Sequence, residues 1–167
     1  MSLVIRPAQL ADVEPLTELY NRYISETTIT FDVEPYTVEQ RHCSWFDHYH
    51  STGRHRLFVA ELNRRAVGYA TSSQFRTKAA YDTSVETSVY LHPDAQGQSI
   101  GTRLYETLFA ALATEDVHRA YAGITLPNPK SIALHIKFGF YSVGRYREVG
   151  RKFDRYWDVE WYEKKLP

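Results

Sequence analysis

Val85-Glu86-Thr87-Ser88-Val89-Tyr90-Leu91-His92-Pro93 is followed by Gln96-Gly97-Gln98-Ser99-Ile100-Gly101 and then Thr102-Arg103-Leu104-Tyr105. The order reads as a buried strand, a tight glycine-bearing loop, and a helix whose first turn opens in that loop. A helix N-terminus leaves its first backbone N–H groups unpaired and carries partial positive charge, so it seats anions. Small residues at Gly97, Ser99 and Gly101 let a diphosphate approach the backbone closely. These features point to a phosphate-bearing ligand before any reacting group is considered.

Two common nucleotide motifs are excluded. A P-loop ends in Gly-Lys-Ser/Thr, whereas this loop ends in Gly101-Thr102-Arg103. The dinucleotide fingerprint needs G-x-G-x-x-G, a glycine spacing absent here. The stretch Gln96 to Gly101 resembles instead the pyrophosphate loop of GNAT N-acetyltransferases, Gln/Arg-x-x-Gly-x-Gly/Ala, which binds coenzyme A. Gln96 and Gly101 match, and Ser99 stands where that family usually has a glycine. A serine fits there provided its backbone angles stay ordinary.

Working outward, Leu3 to Pro7 reads as a first strand. Asp12 is expected to cap a helix to about Tyr23 that buries Val13, Leu16, Leu19, Tyr20 and Tyr23. Ser25 to Pro35 reads as a polar, irregular loop. Thr37 with Gln40 opens a second helix expected to run to about Tyr49. Strands follow at Arg56–Glu61, Ala66–Phe75 (broken by Gly68) and Val85–Leu91, with a turn at Asn63-Arg64-Arg65. The helix after Gly101 carries Leu104, Leu108, Ala111 and Leu112. Then come a strand from Arg119 to Thr125, a helix from Asn128-Pro129 to Gly139, and strands near Tyr141–Glu148 and Tyr156–Lys164.

That order is an α+β pattern, expected to form one domain over residues 1–167. It is also the layout of the GNAT fold: about seven strands in a mixed sheet, splayed at the centre, with about four helices. The resemblance thus covers almost the whole chain. Lysine plus arginine and aspartate plus glutamate number 20 each, so no global field recruits nucleic acid or a membrane. Cys43 is the lone cysteine, which excludes an intramolecular disulfide and gives no zinc-site spacing; no metal is expected. No basic-then-apolar leader begins the sequence, and no apolar run approaches the roughly 18 residues of a membrane span. A cytoplasmic setting is the expectation. Thirteen tyrosines, eight phenylalanines and three tryptophans suit either a small-molecule pocket or a subunit interface.

Several motifs narrow the resemblance. Arg76-x-Lys78-x-x-Tyr81-Asp82-x-x-Val85 through Leu91, Leu134-His135-x-x-x-Gly139-Phe140, and Val149 to Phe153 with Trp157-Asp158 are similar to the phosphinothricin acetyltransferase branch. This resemblance implies transfer of acetyl from acetyl-CoA to the α-amino group of a small glutamate-like amino acid, such as phosphinothricin or methionine sulfoximine or sulfone. It implies direct attack in a ternary complex and a likeness to homodimeric enzymes. Cofactor contacts are expected at Val89, Tyr90, Leu91, Gln96, Gly97, Gln98, Ser99, Ile100, Gly101, Thr102, Asn128 and Ser131. Acceptor contacts are expected at Phe31, Arg76, Thr77, Lys78, Glu86, Thr87 and Ser88.

The residue types suit that chemistry. An α-ammonium must lose a proton before it attacks, and Glu86, an anion within an apolar strand, is the candidate base. Backbone N–H groups near Tyr90 and Leu91 are candidates for stabilising the oxyanion. His135 is a candidate acid or acceptor ligand, with a structural role as its alternative. Asn128 and Ser131 can bond a pantetheine arm or merely cap their helix. Arg76 and Lys78 can grip the acceptor's carboxylate or belong to a solvated loop. Cys43, in the second helix, is expected to lie away from the thioester. Two other readings stay open: the same fold acting on a polyamine or a peptide N-terminus, and a non-catalytic acetyl-CoA sensor.

Overall fold

A computed structural model describes residues 2–167. Seven strands form one sheet: β1 (Leu3–Pro7), β2 (Arg56–Leu62), β3 (Arg65–Gln74), β4 (Ser84–Leu91), β5 (Arg119–Thr125), β6 (Tyr141–Lys152) and β7 (Arg155–Lys165). Four helices accompany them: α1 (Val13–Glu26), α2 (Val38–Ser44), α3 (Ile100–Leu112) and α4 (Pro129–Lys137). The strand order is β1-β2-β3-β4-β5-β7-β6, and β4–β5 is its parallel pair.

That pair makes the site. β4 and β5 are in register only from Ser84–Arg119 to Glu86–Tyr121, so beyond Glu86 the two strands part. β4 stays paired with β3 throughout, from Val85–Gln74 to Leu91–Gly68. The sheet therefore opens on one side of β4, leaving backbone groups free along Thr87 to Leu91.

Side-chain alternation along the strands builds two cores. Phe58, Ala60, Val85, Ala120 and Ile124 bury against Leu104, Leu108 and Leu112 of α3 on one face. Leu57, Val59 and Tyr69 bury against Leu16, Leu19 and Tyr23 of α1 on the other. Both helices present apolar residues three and four apart, as an amphipathic helix must.

Three sequence expectations change. Asp12 does not cap α1 through its side chain; it lies in a helical turn with its carboxylate turned back onto Gln9 N–H (2.7 Å) and the Arg6 guanidinium (2.7 and 2.9 Å). A strong cation beside it outcompetes the capping role. The second helix keeps its capping box at Thr37–Gln40 but ends at Ser44, because Trp45 leaves helical angles and a short 3-10 turn, Phe46–His48, comes next. Gly68 does not end β3, which runs through it, but the pairing slips beside it: Ala60 pairs with Gly68 and Glu61 with Ala66, so Val67 is an extra residue on β3.

Candidate active site

Where β4 and β5 part, a cleft of about 660 Å³ opens, lined by Val89 and Leu91 of β4, the Gln96–Thr102 loop and the start of α4. Of the residues singled out from sequence, Gln96, Gly97, Ser99, Ile100, Gly101, Thr102, Asn128 and Ser131 line this one cleft together. Tyr23, Ile29, Lys130 and Leu134 join them. Gln98 does not line this cleft; it is exposed and its side-chain amide donates to the Asp94 carbonyl (3.1 Å). Lys130 Nζ donates to Gln96 Oε1 (3.2 Å), adding a cation beside the loop.

Left-handed backbone angles shape the loop, unstrained at a glycine and strained at a serine. Gly97 has φ +77°, and Ser99, at the N-terminus of α3, has φ +57° and ψ +16°. Ser99 is therefore left-handed, so the condition set from sequence, ordinary angles at this serine, is not met. Its side chain makes no cap bond, so the first N–H groups of α3 stay available where the helix dipole is positive. The residues present fit a diphosphate.

Backbone phase along β4 can be read from one bond. His92 N–H donates to the Val67 carbonyl (2.7 Å), so Ser88 and Tyr90 also face β3, paired with Thr71 and Tyr69. The intervening Val89 and Leu91 must point their N–H groups into the opening. Of the two N–H groups expected near the thioester, that of Leu91 points into the opening and that of Tyr90 faces β3, while Val89 N–H also points into the opening. The Leu91 carbonyl, on the same side, accepts the Tyr23 hydroxyl (2.6 Å).

Side chains of β4 divide between the two faces. Tyr90 packs among Tyr20, Tyr23 and Tyr69 on the α1 side. Glu86 and Ser88 share its parity. The Glu86 carboxyl is half-buried and burial raises its pKa, while the Arg76 charge draws it part of the way back. Arg76, Thr77 and Lys78 are exposed and form no ion pair among the described residues. Arg76 lies 4.6 Å from the Phe75 ring and 5.9 Å from that of Trp161, so an aromatic floor holds its guanidinium near Glu86. The Trp161 indole N–H is buried without a partner.

Thr87 points to the opposite face, where the Tyr105 hydroxyl reaches both it (3.4 Å) and His135 (2.9 Å). A small cavity in the gap between β4 and β5 is lined by Ile29, Thr87, Ser88, Val89, Tyr90, Asn128, Ser131 and His135, among others. His135 Nδ1 lies 2.7 Å from the Ser131 carbonyl, which can only accept, so Nδ1 carries the proton. Nε2 then accepts from the Tyr105 hydroxyl at 2.9 Å. Both nitrogens are occupied, and burial lowers the imidazole's pKa. In this arrangement His135 is a neutral pin of α4. The Asn128 side chain accepts Ser131 N–H (3.2 Å), so it caps α4 while its amide nitrogen remains free for the cleft.

Sequence patterns alone miss Tyr105. Its one signal is a hydroxyl on the buried face of α3, beside Leu104 and Leu108, which must find a partner. Cys43 lies exposed on α2, which lines neither cavity. No helix among the described residues is long and apolar enough to cross a membrane.

A sheet parted beside β4, with a left-handed loop feeding a helix N-terminus into the gap, has the shape to hold an acyl-CoA, and residues 5–161 match the acetyltransferase (GNAT) domain. The chain belongs to that family and is an N-acetyltransferase. It is 56% identical to phosphinothricin N-acetyltransferase of Streptomyces coelicolor, covering 97% of this chain and 95% of that one. It is 30% identical to the L-methionine sulfoximine/L-methionine sulfone acetyltransferase of Pseudomonas paraeruginosa, over 99% of this chain and 96% of the relative. Among solved structures, an acetyltransferase from Salmonella typhimurium with acetyl-CoA superposes with a TM-score of 0.94 at 30% identity, covering 100% and 95% of the two chains.

Proposed function

We propose that this enzyme transfers acetyl from acetyl-CoA to the α-amino group of a small glutamate-like amino acid, of the phosphinothricin or methionine sulfoximine kind. The carrying observation is Glu86: a half-buried carboxylate with raised pKa, on β4 where β4 and β5 separate, beside an unpaired Arg76. Relatives named for these two acceptors support the substrate class.

Acetyl-CoA brings the activated acetyl group as a thioester. The Gln96–Thr102 loop and the start of α3 hold its diphosphate, and Asn128 and Ser131 bond its amide-bearing arm. Arg76 and Lys78 hold the acceptor's carboxylate, with Phe31, Thr77, Thr87 and Ser88 around it. Glu86 takes the ammonium proton, directly or through a water. Val89 and Leu91 N–H groups stabilise the charge that develops on the carbonyl oxygen, each worth roughly 3 kcal/mol on the scale of one such donor. The setting is cytoplasmic, and the working unit is a homodimer.

The test is free-thiol release from acetyl-CoA with phosphinothricin, methionine sulfoximine, methionine sulfone, spermidine and a short peptide as acceptors. Turnover confined to the glutamate-like compounds supports the reading. Turnover of spermidine or the peptide instead overturns the substrate class, and silence with all of them despite acetyl-CoA binding favours a sensor.

A further inference from the structure

The loop between α1 and α2 is fastened from a great distance in sequence. Lys152, at the end of β6, is 5% exposed, and its ammonium donates to the Thr30 carbonyl at 2.8 Å. It has no ion-pair partner among the described residues; the bond to Thr30 is its hydrogen bond, and the ammonium also lies 5.3 Å from the Phe153 ring. An ammonium is costly to bury unless its donors are met, and burial lowers its pKa while Asp32 raises it. Two residues earlier, a methyl at Gly150 would collide with the Phe31 ring, 2.5 Å from Cδ2 and Cζ and closer still to Cε2. Glycine is needed there for space: its backbone is not left-handed, and the Phe31 ring lies against it.

A bulge sets this end of β6 over the loop. Register runs from Tyr146–Val159 directly to Gly150–Trp157, so Arg147, Glu148 and Val149 stand opposite Asp158 alone. Glu148 takes φ +49° and gives its N–H to Asp158 Oδ1 at 2.8 Å, closing the bulge. Bulges bend a strand and re-aim the residues beyond them. From below, Tyr20 anchors the same loop: its hydroxyl donates to Asp32 (2.6 Å) and accepts from Thr30 (2.7 Å). Phe31 is thus held between α1 and the hairpin. Ile29, two residues before it, lines both cavities where β4 and β5 part, so the loop stands at the mouth of the site.

We propose that Gly150 and Lys152 are positioning residues for the acceptor: the bulged end of β6 clamps Thr30–Asp32 so that the Phe31 ring forms a fixed wall of the acceptor pocket. This rests on the reading of Phe31 as part of that pocket. Gly150→Ala drives the ring away, and Lys152→Met removes the bond to Thr30.

Steady-state kinetics with phosphinothricin or methionine sulfoximine, whichever is turned over, read the consequence. Each variant should raise the acceptor KM about tenfold, near 1.4 kcal/mol, with a smaller change in kcat and unaltered acetyl-CoA affinity. Phe31→Ala should raise the acceptor KM by itself, and adding Gly150→Ala to it should then change nothing further, since no ring remains to displace. Amide hydrogen exchange over residues 28–32 should quicken in Lys152→Met and stay near wild type in Lys152→Arg.

Loss of acetyl-CoA affinity in parallel with the acceptor KM, or additivity of Gly150→Ala with Phe31→Ala, overturns the clamp. So does loop exchange unchanged in Lys152→Met. A Phe31→Ala enzyme with ordinary KM for its acceptor overturns the reading of the pocket itself and the positioning role with it.

Discussion

Glu86 and Asp12 show how one kind of group is driven in opposite directions by its surroundings. Burial raises the pKa of Glu86 against the pull of Arg76. Asp12 is desolvated too, but bonds from Arg6 and Gln9 outweigh that burial and hold its carboxyl below the ordinary value. As a general base Glu86 must be ionised, so kcat/KM should rise with pH through a limb lying above the usual glutamate range. Glu86→Gln should lower kcat by about 10² to 10⁴, the usual worth of a positioned base, while acetyl-CoA still binds on calorimetry. A raised carboxyl pKa also means that the folded state holds its proton longer than the unfolded chain. Stability from this group is therefore lost as pH rises from the unfolded value through the folded one. Glu86→Gln should melt higher than wild type at pH 7 and close to it at pH 4. A variant less stable at pH 7 would show that the carboxylate is held by bonds rather than strained.

At the scale of elements, Asp12 joins β1 to α1 through Arg6, which also bonds Glu61 on β2. Asp12→Asn should cost roughly 1.5–3 kcal/mol in urea unfolding at pH 7, the range for a hydrogen bond to a charged group. Because the Asp12 pKa is depressed, its contribution is present above the unfolded value and lost as pH falls through the folded one. The gap between Asp12→Asn and wild type should narrow in acid; a constant gap would mean that charge is not what holds the joint. Ser99 is the opposite case, a residue that strains its element. Left-handed angles cost a serine about 1–2 kcal/mol, and part of the relief is offset by glycine's greater unfolded entropy. Ser99→Gly should raise stability by about 0.5 kcal/mol and leave acetyl-CoA affinity intact, since the backbone N–H survives. A lower melting point would give the side chain a role the geometry does not show.

Range in sequence decides which of these elements are legible from the chain alone. The strands, α3 and α4 can be read because alternation, helical spacing and the Asn128 cap are local signals. The cofactor loop is legible for the same reason. Asp12 misleads because its partner, Arg6, competes for the carboxylate only once β1 folds back beside it. Tyr105, Lys152 and Gly150 cannot be read, since their partners stand 30, 122 and 119 residues away and no local pattern announces them. Arg41 is a mixed case: its buried guanidinium lies 3.9 Å from the ring of Trp45 on the next turn but also 4.2 Å from the ring of Tyr20 on α1, and its Nε and Nη2 have no hydrogen-bond partner among the described residues.

For the molecule as a whole, the unsettled surface is the edge formed by β6. β6 has one neighbour, β7, and its outer edge offers unpaired backbone groups along twelve residues. Tyr141, Val143, Tyr146 and Val149 are each about half exposed along it, and Phe153 and Tyr156 continue the patch around the hairpin end. Soluble monomers usually blunt such an edge, and this one is long and apolar for an open face. Arg145, Arg147 and Arg151 interrupt it, but Arg145 is already paired with Glu160. Equal numbers of acidic and basic residues leave no net repulsion between copies. A second copy of this chain is the expected cover, burying on the order of 800 Å² per partner if the contact is of ordinary stable size. Sedimentation equilibrium at micromolar concentration should then give twice the chain mass. Val143→Lys combined with Tyr146→Lys should give the single mass with a normal melt and retained acetyl-CoA binding. A wild-type chain that sediments as a monomer would remove the dimer from the proposal and leave the edge guarded by its arginines alone.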